Sequence, residues 1–179
     1  MEPIFLIAGG PGVGKSTTAR ALADTFERSI HVDVDQFRHM VRGGLALPGV
    51  GTWPEELRRQ VALARTTSIE MARRYASAGF TVVIDDFWDP HDLAEYAEFA
   101  AVPHVHRFLL YPSLDEARRR NRVRSPGTEG DMIDTAIPWI YGIYAPRVDA
   151  MRASGWDVIE TTGLDVDGVV GRIQALAEG

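Results

Sequence analysis

Cysteine is absent from this chain of 179 residues. Disulfides and cysteine-ligated metal sites are therefore excluded. No stretch approaches the run of about 18 apolar residues that a membrane-spanning helix needs. The chain also does not open with the basic and apolar segment of a signal peptide. We therefore expect a cytoplasmic protein with no membrane contact.

An excess of positive charge is also missing, because 25 acidic residues against 19 Lys and Arg give a net charge of −6. Surfaces that bind nucleic acid without sequence preference are basic, so a nucleic-acid partner is not expected. The hydrophobic fraction of 45% is ordinary for a folded globular protein. A chain of this length is expected to form a single domain spanning residues 1–179.

A glycine-rich motif, GGPGVGKST, occupies residues 9–17. Gly9, Gly14, Lys15 and Ser16 satisfy the pattern G-x-x-x-x-G-K-[ST] of a phosphate-binding loop. Glycines let such a loop fold around a polyphosphate and point its backbone N–H groups at it. Lys15 is expected to reach the β- and γ-phosphates, and the Ser16 hydroxyl to bind Mg²⁺. Nucleotide contacts are predicted for Gly10, Gly12, Val13, Gly14, Lys15, Ser16 and Thr17.

The pattern of apolar residues around this motif predicts strands that alternate with helices. Strands are predicted at 4–8, 29–33, 80–84, 105–111 and 156–160. Helices are predicted at 17–26, 36–42, 54–78, 91–100, 114–124, 131–153 (with breaks near Pro138 and Pro146) and 166–177. The fold class is therefore α/β, with a five-stranded parallel sheet between two helical layers. Ligands of such sheets bind at the carboxyl ends of the strands. A glycine-rich loop at 43–53 is a candidate substrate loop.

Acidic residues fall at two of these strand ends. Asp33 and Asp35 would face the same side of an extended segment, and either could be the general base for a substrate hydroxyl. Helix capping is the alternative, above all for Asp35, which precedes a short helix. Asp85 follows an apolar strand and could hold Mg²⁺ directly or through water, although solvation of a strand end is the alternative. Asp86 could serve the metal or contact substrate.

Five arginines crowd into seven positions at 118–124. With the Pro/Gly loop that follows, they predict an arginine lid over residues 118–130 that closes over ATP. Arg118 and Arg122 share one helix face and are assigned to nucleotide binding. Arg120 and Arg124 share another and are assigned to stabilising charge during catalysis. A solvated basic face is the alternative interpretation.

The segments GGPGVGKST, DVDQFR, VVIDD and RRRNRVR together resemble a family. Their order and spacing are similar to those of small P-loop kinases, the group of chloramphenicol phosphotransferase, zeta toxins and the kinase domain of polynucleotide kinases. The resemblance implies a P-loop NTPase fold and ATP-dependent transfer of the γ-phosphate to a hydroxyl. It also implies Asp35 as the base, Arg38 near the substrate, and Thr162 and Gly163 beside adenine. The chain lacks the extra length of the toxins and has its own 43–53 loop, so their nucleotide-sugar substrate is not carried over.

The function expected is an ATP-dependent phosphotransferase that acts on a small hydroxylated molecule. Predicted substrate contacts are Asp33, Arg38, Arg42, Trp53 and Asp86. Aromatic residues that could line the acceptor site or equally belong to the core are Trp53, Phe87, Trp88, Trp139 and Tyr141. One alternative is a 5′-hydroxyl nucleic-acid kinase, which the net acidity disfavours. Another is a regulatory ATP-binding protein or ATPase, which needs neither acceptor nor base. The sequence carries no signal for an oligomeric state.

Overall fold

The central strand of the protein is the apolar segment that precedes the glycine loop. The computed structural model describes residues 1–49, 52–87, 93–124 and 127–178. Its sheet has the strand order β2-β3-β1-β4-β5, and every pair of neighbours is parallel. All six residues of β1 are buried, as expected of a strand covered by helices on both faces. The strands are β1 (Ile4–Gly9), β2 (Ser29–Asp33), β3 (Thr81–Phe87), β4 (Val105–Leu110) and β5 (Asp157–Ile159).

Helices connect these strands and cover both faces of the sheet. Those in the described residues are α1 (Lys15–Ala23), α2 (Val34–His39), α3 (Glu55–Ser77), α4 (Leu114–Arg124), α5 (Thr128–Tyr144), α6 (Val148–Ala153) and α7 (Val166–Glu178). Alternate residues of β1 divide the core, since Phe5 and Ile7 pack with α1 and α7, whereas Ile4 and Leu6 pack with α3 and α6. The predicted three-layer α/β/α fold with a five-stranded parallel sheet is confirmed. Within the described ranges, no helix is both long and apolar enough to cross a bilayer.

Several predicted element boundaries were wrong, for local reasons. Strand β3 runs to Phe87, so Asp85 and Asp86 lie within it rather than after it. The helix predicted at 91–100 is a 3₁₀ helix, Ala94–Phe99, and 91–92 lie outside the described residues. Its buried Tyr96 and Phe99 are three residues apart, which suits three residues per turn.

Helix α5 continues through Pro138, where a break was predicted. Ile137 and Tyr141 hold the two sides of the proline in place by packing on Ala117 of α4. The break predicted near Pro146 is confirmed, because a 3₁₀ turn, Ala145–Arg147, separates α5 from α6.

A buried ion pair joins α3 to the end of β3. Arg65 Nε lies 2.6 Å from Asp86 Oδ2, and both side chains are almost fully buried. Tyr96 donates a hydrogen bond to the same oxygen over 3.1 Å, and Arg65 also contacts Glu95 of the 3₁₀ helix. Burial raises the pKa of Asp86 to about 6, and the charge and hydrogen bond of Arg65 act in the opposite direction. The ion pair therefore anchors three elements beneath the carboxyl edge of the sheet.

We predict that Arg65→Met lowers the free energy of unfolding by about 3–5 kcal/mol at pH 7, because it leaves the Asp86 carboxylate buried and unpaired. Arg73→Met is the matched control on the same helix, since Arg73 pairs with Glu98 at the surface over 2.8 Å. That change should cost less than about 1 kcal/mol. Urea unfolding of both variants measures the difference. Similar small losses in the two would show that the buried pair contributes no more than the exposed one.

Candidate active site

The glycine loop between β1 and α1 lies against α4. Gly12 and Gly14 have φ angles of 74° and 98°, a left-handed conformation that glycine adopts readily. A Cβ on Gly12 would stand 2.6 Å from the carbonyl oxygen of Ala117 in α4. Two independent constraints, backbone conformation and close approach, thus require glycine here. Helix α1 begins at Lys15, so its positive N-terminal end faces the loop.

Lys15 lies within the loop, and its ammonium donates a hydrogen bond to the Gly10 carbonyl over 3.0 Å. Burial lowers the pKa of Lys15, and the nearby charges of Asp85 and Asp35 act in the opposite direction. No carboxylate of the described residues forms an ion pair with this ammonium. The Lys15 charge is thus available to an incoming anion.

Asp85 connects the loop to the neighbouring strands. Ser16 Oγ donates a hydrogen bond of 2.6 Å to Asp85 Oδ2, and His31 Nε2 of β2 lies 2.5 Å from Oδ1. The Asp85 side chain is only 3% exposed. His31 was not predicted from the sequence, although its place between Ile30 and Val32 on a predicted strand that ends in Asp33 was a visible signal.

Ser16 and Asp85 offer the hydroxyl and carboxylate oxygens that Mg²⁺ prefers. No group of three or more His, Cys, Asp or Glu residues suited to a metal occurs in the part of the chain that the structure describes. A donor set this small fits a cation that takes its other ligands from nucleotide phosphates and water, as Mg²⁺ commonly does.

Asp33 and Asp35 have different surroundings. Asp33 ends β2 and caps α2, because its Oδ1 accepts a hydrogen bond from the Gln36 backbone N–H over 3.2 Å. Asp35 lies in the first turn of α2, 48% exposed, and its charge influences both Lys15 and Asp86. The prediction that both face one side of an extended segment was wrong, because the helix begins at Val34. Capping belongs to Asp33, and the Asp35 carboxylate is open to solvent.

Arg38 joins Asp35 to the candidate substrate loop. Its Nε lies 3.6 Å from Asp35 Oδ1, and its Nη1 donates to the Ala46 carbonyl over 3.0 Å. Gln60 of α3 accepts from the Ala46 N–H over 3.0 Å and donates to the Gly44 carbonyl over 2.8 Å. Residues 43–49 are thus tied to α2 and α3; positions 50–51 of the predicted loop lie outside the described residues.

The other predicted acceptor-site residues are dispersed. Arg42 is exposed, and the Trp53 ring lies 5.6 Å from that of Phe87 at the end of β3. Trp139 on α5 is 47% exposed. Tyr141 is buried, and its hydroxyl donates to the Pro112 carbonyl over 3.0 Å, so it belongs to the core. Trp88 lies outside the described residues.

Acidic neighbours pair with most of the arginine run. Arg118 and Arg122 both contact Asp134 of α5, over 2.8 and 2.9 Å. Arg119 and Arg120 both contact Glu116, over 2.8 and 2.7 Å. The Arg118 and Arg122 side chains thus join α4 to α5, on a face other than that of Arg120 and Arg124. Residues 125–126 of the predicted lid lie outside the described residues.

Arg120 and Arg124 face the glycine loop. Arg120 donates to the carbonyls of Val13, over 3.0 Å, and of Thr161, over 2.7 Å. Arg124 is exposed, without an acidic partner among the described residues, and its charge acts to lower the pKa of Lys15. Both arginines border a cleft of about 370 Å³ beside the loop. Its other lining residues are Gly12, Val13, Gly14, Lys15, Ser16, Thr17, Thr18, Leu164, Asp165, Val166 and Val169.

Thr162 and Gly163 belong to the turn between β5 and α7, next to this cleft. Thr162 Oγ1 accepts from the Ser113 N–H over 2.8 Å and also contacts Glu160. Gly163 has a φ of 73°. The cleft wall on this side consists of the residues that follow, Leu164 to Val166. Thr162 and Gly163, which were predicted to contact adenine, thus come directly before the residues of this turn that line the cleft.

Residues 4–135 match a family described as an AAA domain. The chain belongs to this family. No curated protein matches it significantly. Solved structures that resemble this AAA-domain protein include small kinases, so the fold implied by the resemblance stated above is confirmed.

Three of these solved structures illustrate the fold. Shikimate kinase from Acinetobacter baumannii, in complex with shikimate, is 18% identical with a TM-score of 0.66, over 98% of this chain and 93% of that one. The Deinococcus radiodurans tunicamycin resistance protein is 22% identical with a TM-score of 0.62, over 98% and 95%. A gluconokinase from Sinorhizobium meliloti 1021 is 15% identical with a TM-score of 0.62, over 98% and 94%. At these identities the similarity shows the fold.

We predict that Lys15→Ala abolishes nucleotide binding at the cleft and leaves the fold intact. The side chain makes one hydrogen bond, so its loss should change the free energy of unfolding by about 1 kcal/mol or less. Titration calorimetry with ATP and the thermal midpoint without nucleotide measure the two effects. Arg20→Ala, an exposed change on the same helix, is the control. Unchanged ATP affinity in Lys15→Ala, with a normal midpoint, would contradict the assignment.

We predict that Arg124→Ala weakens ATP binding about tenfold, the loss expected when one charge-assisted hydrogen bond is removed. Arg119→Ala is the matched control, because Arg119 lies on the same helix but pairs with Glu116 and does not line the cleft. Calorimetry with ATP and Mg²⁺ compares them. Equal affinities in the two variants would exclude Arg124 from the nucleotide site.

Proposed function

We propose that the protein is an ATP-dependent phosphotransferase that moves the γ-phosphate of ATP to a hydroxyl of a small molecule. The observation that carries the proposal is the position of Asp35. Its carboxylate is half exposed, is not used for capping, and is close enough to Lys15 and Asp86 for its charge to affect them. ATP binding alone requires no such carboxylate, whereas transfer to a hydroxyl requires a group that accepts its proton.

The nucleotide would occupy the cleft beside the glycine loop. Backbone N–H groups of the loop, the Lys15 ammonium and the N-terminal end of α1 would hold the phosphates. Arg124, and Arg120 if it exchanges a carbonyl partner, would neutralise phosphate charge. Mg²⁺, held by Ser16 and by Asp85 directly or through water, would neutralise charge on the β- and γ-phosphates. Leu164, Val166 and Val169 offer apolar surface to the base.

The acceptor would approach from the side of α2 and residues 43–49. As its hydroxyl oxygen forms a bond to the γ-phosphorus, the bond from phosphorus to the bridging oxygen breaks and ADP leaves with that electron pair. The hydroxyl proton passes to Asp35. Arg38 would lie beside this base, with its Nε 3.6 Å from the Asp35 carboxylate, while its Nη1 donates a hydrogen bond to the Ala46 carbonyl of the substrate loop.

A small molecule is the acceptor class that the surroundings favour. Arg38 and Gln60 fix the 43–49 segment through hydrogen bonds to its backbone. Trp53 and Phe87 add aromatic surface at the end of β3. The net charge of −6 disfavours a polynucleotide. Among the structural neighbours, shikimate kinase and gluconokinase are named for small-molecule acceptors. We propose the cytoplasm, which supplies ATP, as the place of reaction.

We predict that Asp35→Asn lowers kcat by roughly 10²–10⁴-fold with little change in ATP affinity, because the amide cannot accept the proton. Asp33→Asn is the internal control: Asp33 caps α2, and Asn caps helices about as well as Asp. Acceptors are found by incubating the protein with ATP, Mg²⁺ and a library of metabolites and antibiotics, and reading the phosphate mass shift.

Two outcomes would contradict this assignment. Normal turnover in Asp35→Asn with an inactive Asp33→Asn would assign the role of base to Asp33. ATP hydrolysis that survives both changes, with no acceptor phosphorylated, would instead support a regulatory ATPase.

A further inference from the structure

His31 lies on β2 beside the end of β3. The two strands pair in parallel, with His31 opposite Val83 and Asp33 opposite Asp85. The His31 backbone therefore lies two residues before the position opposite Asp85, and its imidazole extends in the strand direction to the Asp85 carboxylate. Nε2 lies 2.5 Å from Asp85 Oδ1, and the His31 side chain is 17% exposed. This contact crosses from one strand to the next at the edge where the phosphates and metal are expected.

Asp85 is buried and has a partner on each carboxylate oxygen, as most buried polar atoms do. Ser16 donates to Oδ2 and His31 holds Oδ1. With one partner on each oxygen, the carboxylate cannot rotate without breaking both contacts. The orientation of Oδ2 towards Ser16 thus depends on His31 as well as on Ser16.

We propose that His31 is a positioning residue for the metal site, acting through Asp85. A Ser16 oxygen that bound Mg²⁺ through a lone pair would keep its O–H bond and could still donate to Asp85 Oδ2. Asp85, held at Oδ1 by His31, would then orient the Ser16 oxygen towards the cation and could accept a hydrogen bond from a water of the cation. The inference rests on the nucleotide–metal half of the proposed function and is independent of the acceptor.

The β2–β3 ladder does not depend on this contact. Backbone pairing joins the two strands from Ser29 opposite Thr81 to Asp33 opposite Asp85. A purely structural role for His31 would therefore affect stability alone, whereas a positioning role changes metal affinity. Removing a side chain that orients a metal ligand typically lowers metal affinity about 10–100-fold.

Two variants of similar polarity separate these roles. The amide N–H₂ of His31→Gln extends about as far as Nε2 and can donate to Asp85, whereas that of His31→Asn is too short. His39→Gln is the control, an exposed histidine on α2. The measurement is the Mn²⁺ affinity of the protein–ADP complex, prepared with less ADP than protein so that no free ADP remains, from the loss of the free Mn²⁺ signal in electron paramagnetic resonance. ADP affinity without metal is measured in parallel.

We expect the Kd for Mn²⁺ to rise about 10–100-fold in His31→Asn, with a smaller rise in His31→Gln and none in His39→Gln. ADP affinity without metal should stay within about twofold. Unchanged Mn²⁺ affinity in His31→Asn, or equal losses in His31→Gln and His31→Asn, would overturn the inference. A wild-type protein that binds Mn²⁺ with ADP yet phosphorylates no acceptor would refute only the phosphotransferase. A wild-type protein that binds no Mn²⁺ with ADP would refute this inference as well.

Discussion

Two adjacent carboxylates at the carboxyl end of β3, Asp85 and Asp86, are buried, and a buried charge persists only with partners. The two carboxylates have different partners. Asp86 has a permanent cation, Arg65, which is itself buried and shared with Glu95. Asp85 has only the neutral hydroxyl of Ser16 and the imidazole of His31, and so retains capacity for a cation. The elements around the site, α1, α3, β2 and the 94–99 turn, each contribute a side chain to this pair of carboxylates.

The basic helix α4 distributes its charge by helix face. One face meets Asp134 and joins α4 to α5 through Arg118 and Arg122. Another face meets the glycine loop through Arg120, which donates to backbone carbonyls on both sides of the cleft. Only Arg124, among these five residues, lacks an acidic partner in the described residues. Most arginines of this run therefore form ion pairs within the fold. The positive charge of Arg124 remains uncompensated at the cleft, where a polyphosphate would bring negative charge.

Arg38 connects Asp35 of α2 to the 43–49 segment. The same guanidinium contacts Asp35 and the backbone of the 43–49 segment. A shift of that segment on binding an acceptor would therefore move the arginine that contacts Asp35. This coupling differs from the lid motion that the arginine run suggested, since it needs no rearrangement of α4.

The sheet, the helical layers and the phosphate-binding loop could be predicted from the sequence, because they depend on local patterns: apolar runs, helical spacing and a glycine motif whose backbone geometry only certain residues permit. The sequence also singled out Asp35, Asp85 and the arginine run. The folded chain was needed to show that Asp33 caps α2, that Asp86 pairs with Arg65 and that His31 contacts Asp85. The two side-chain pairs join residues that are 21 and 54 positions apart in the chain. The capping role of Asp33 depends on the exact residue at which α2 begins. Such contacts depend on strand order and register, which no local pattern specifies.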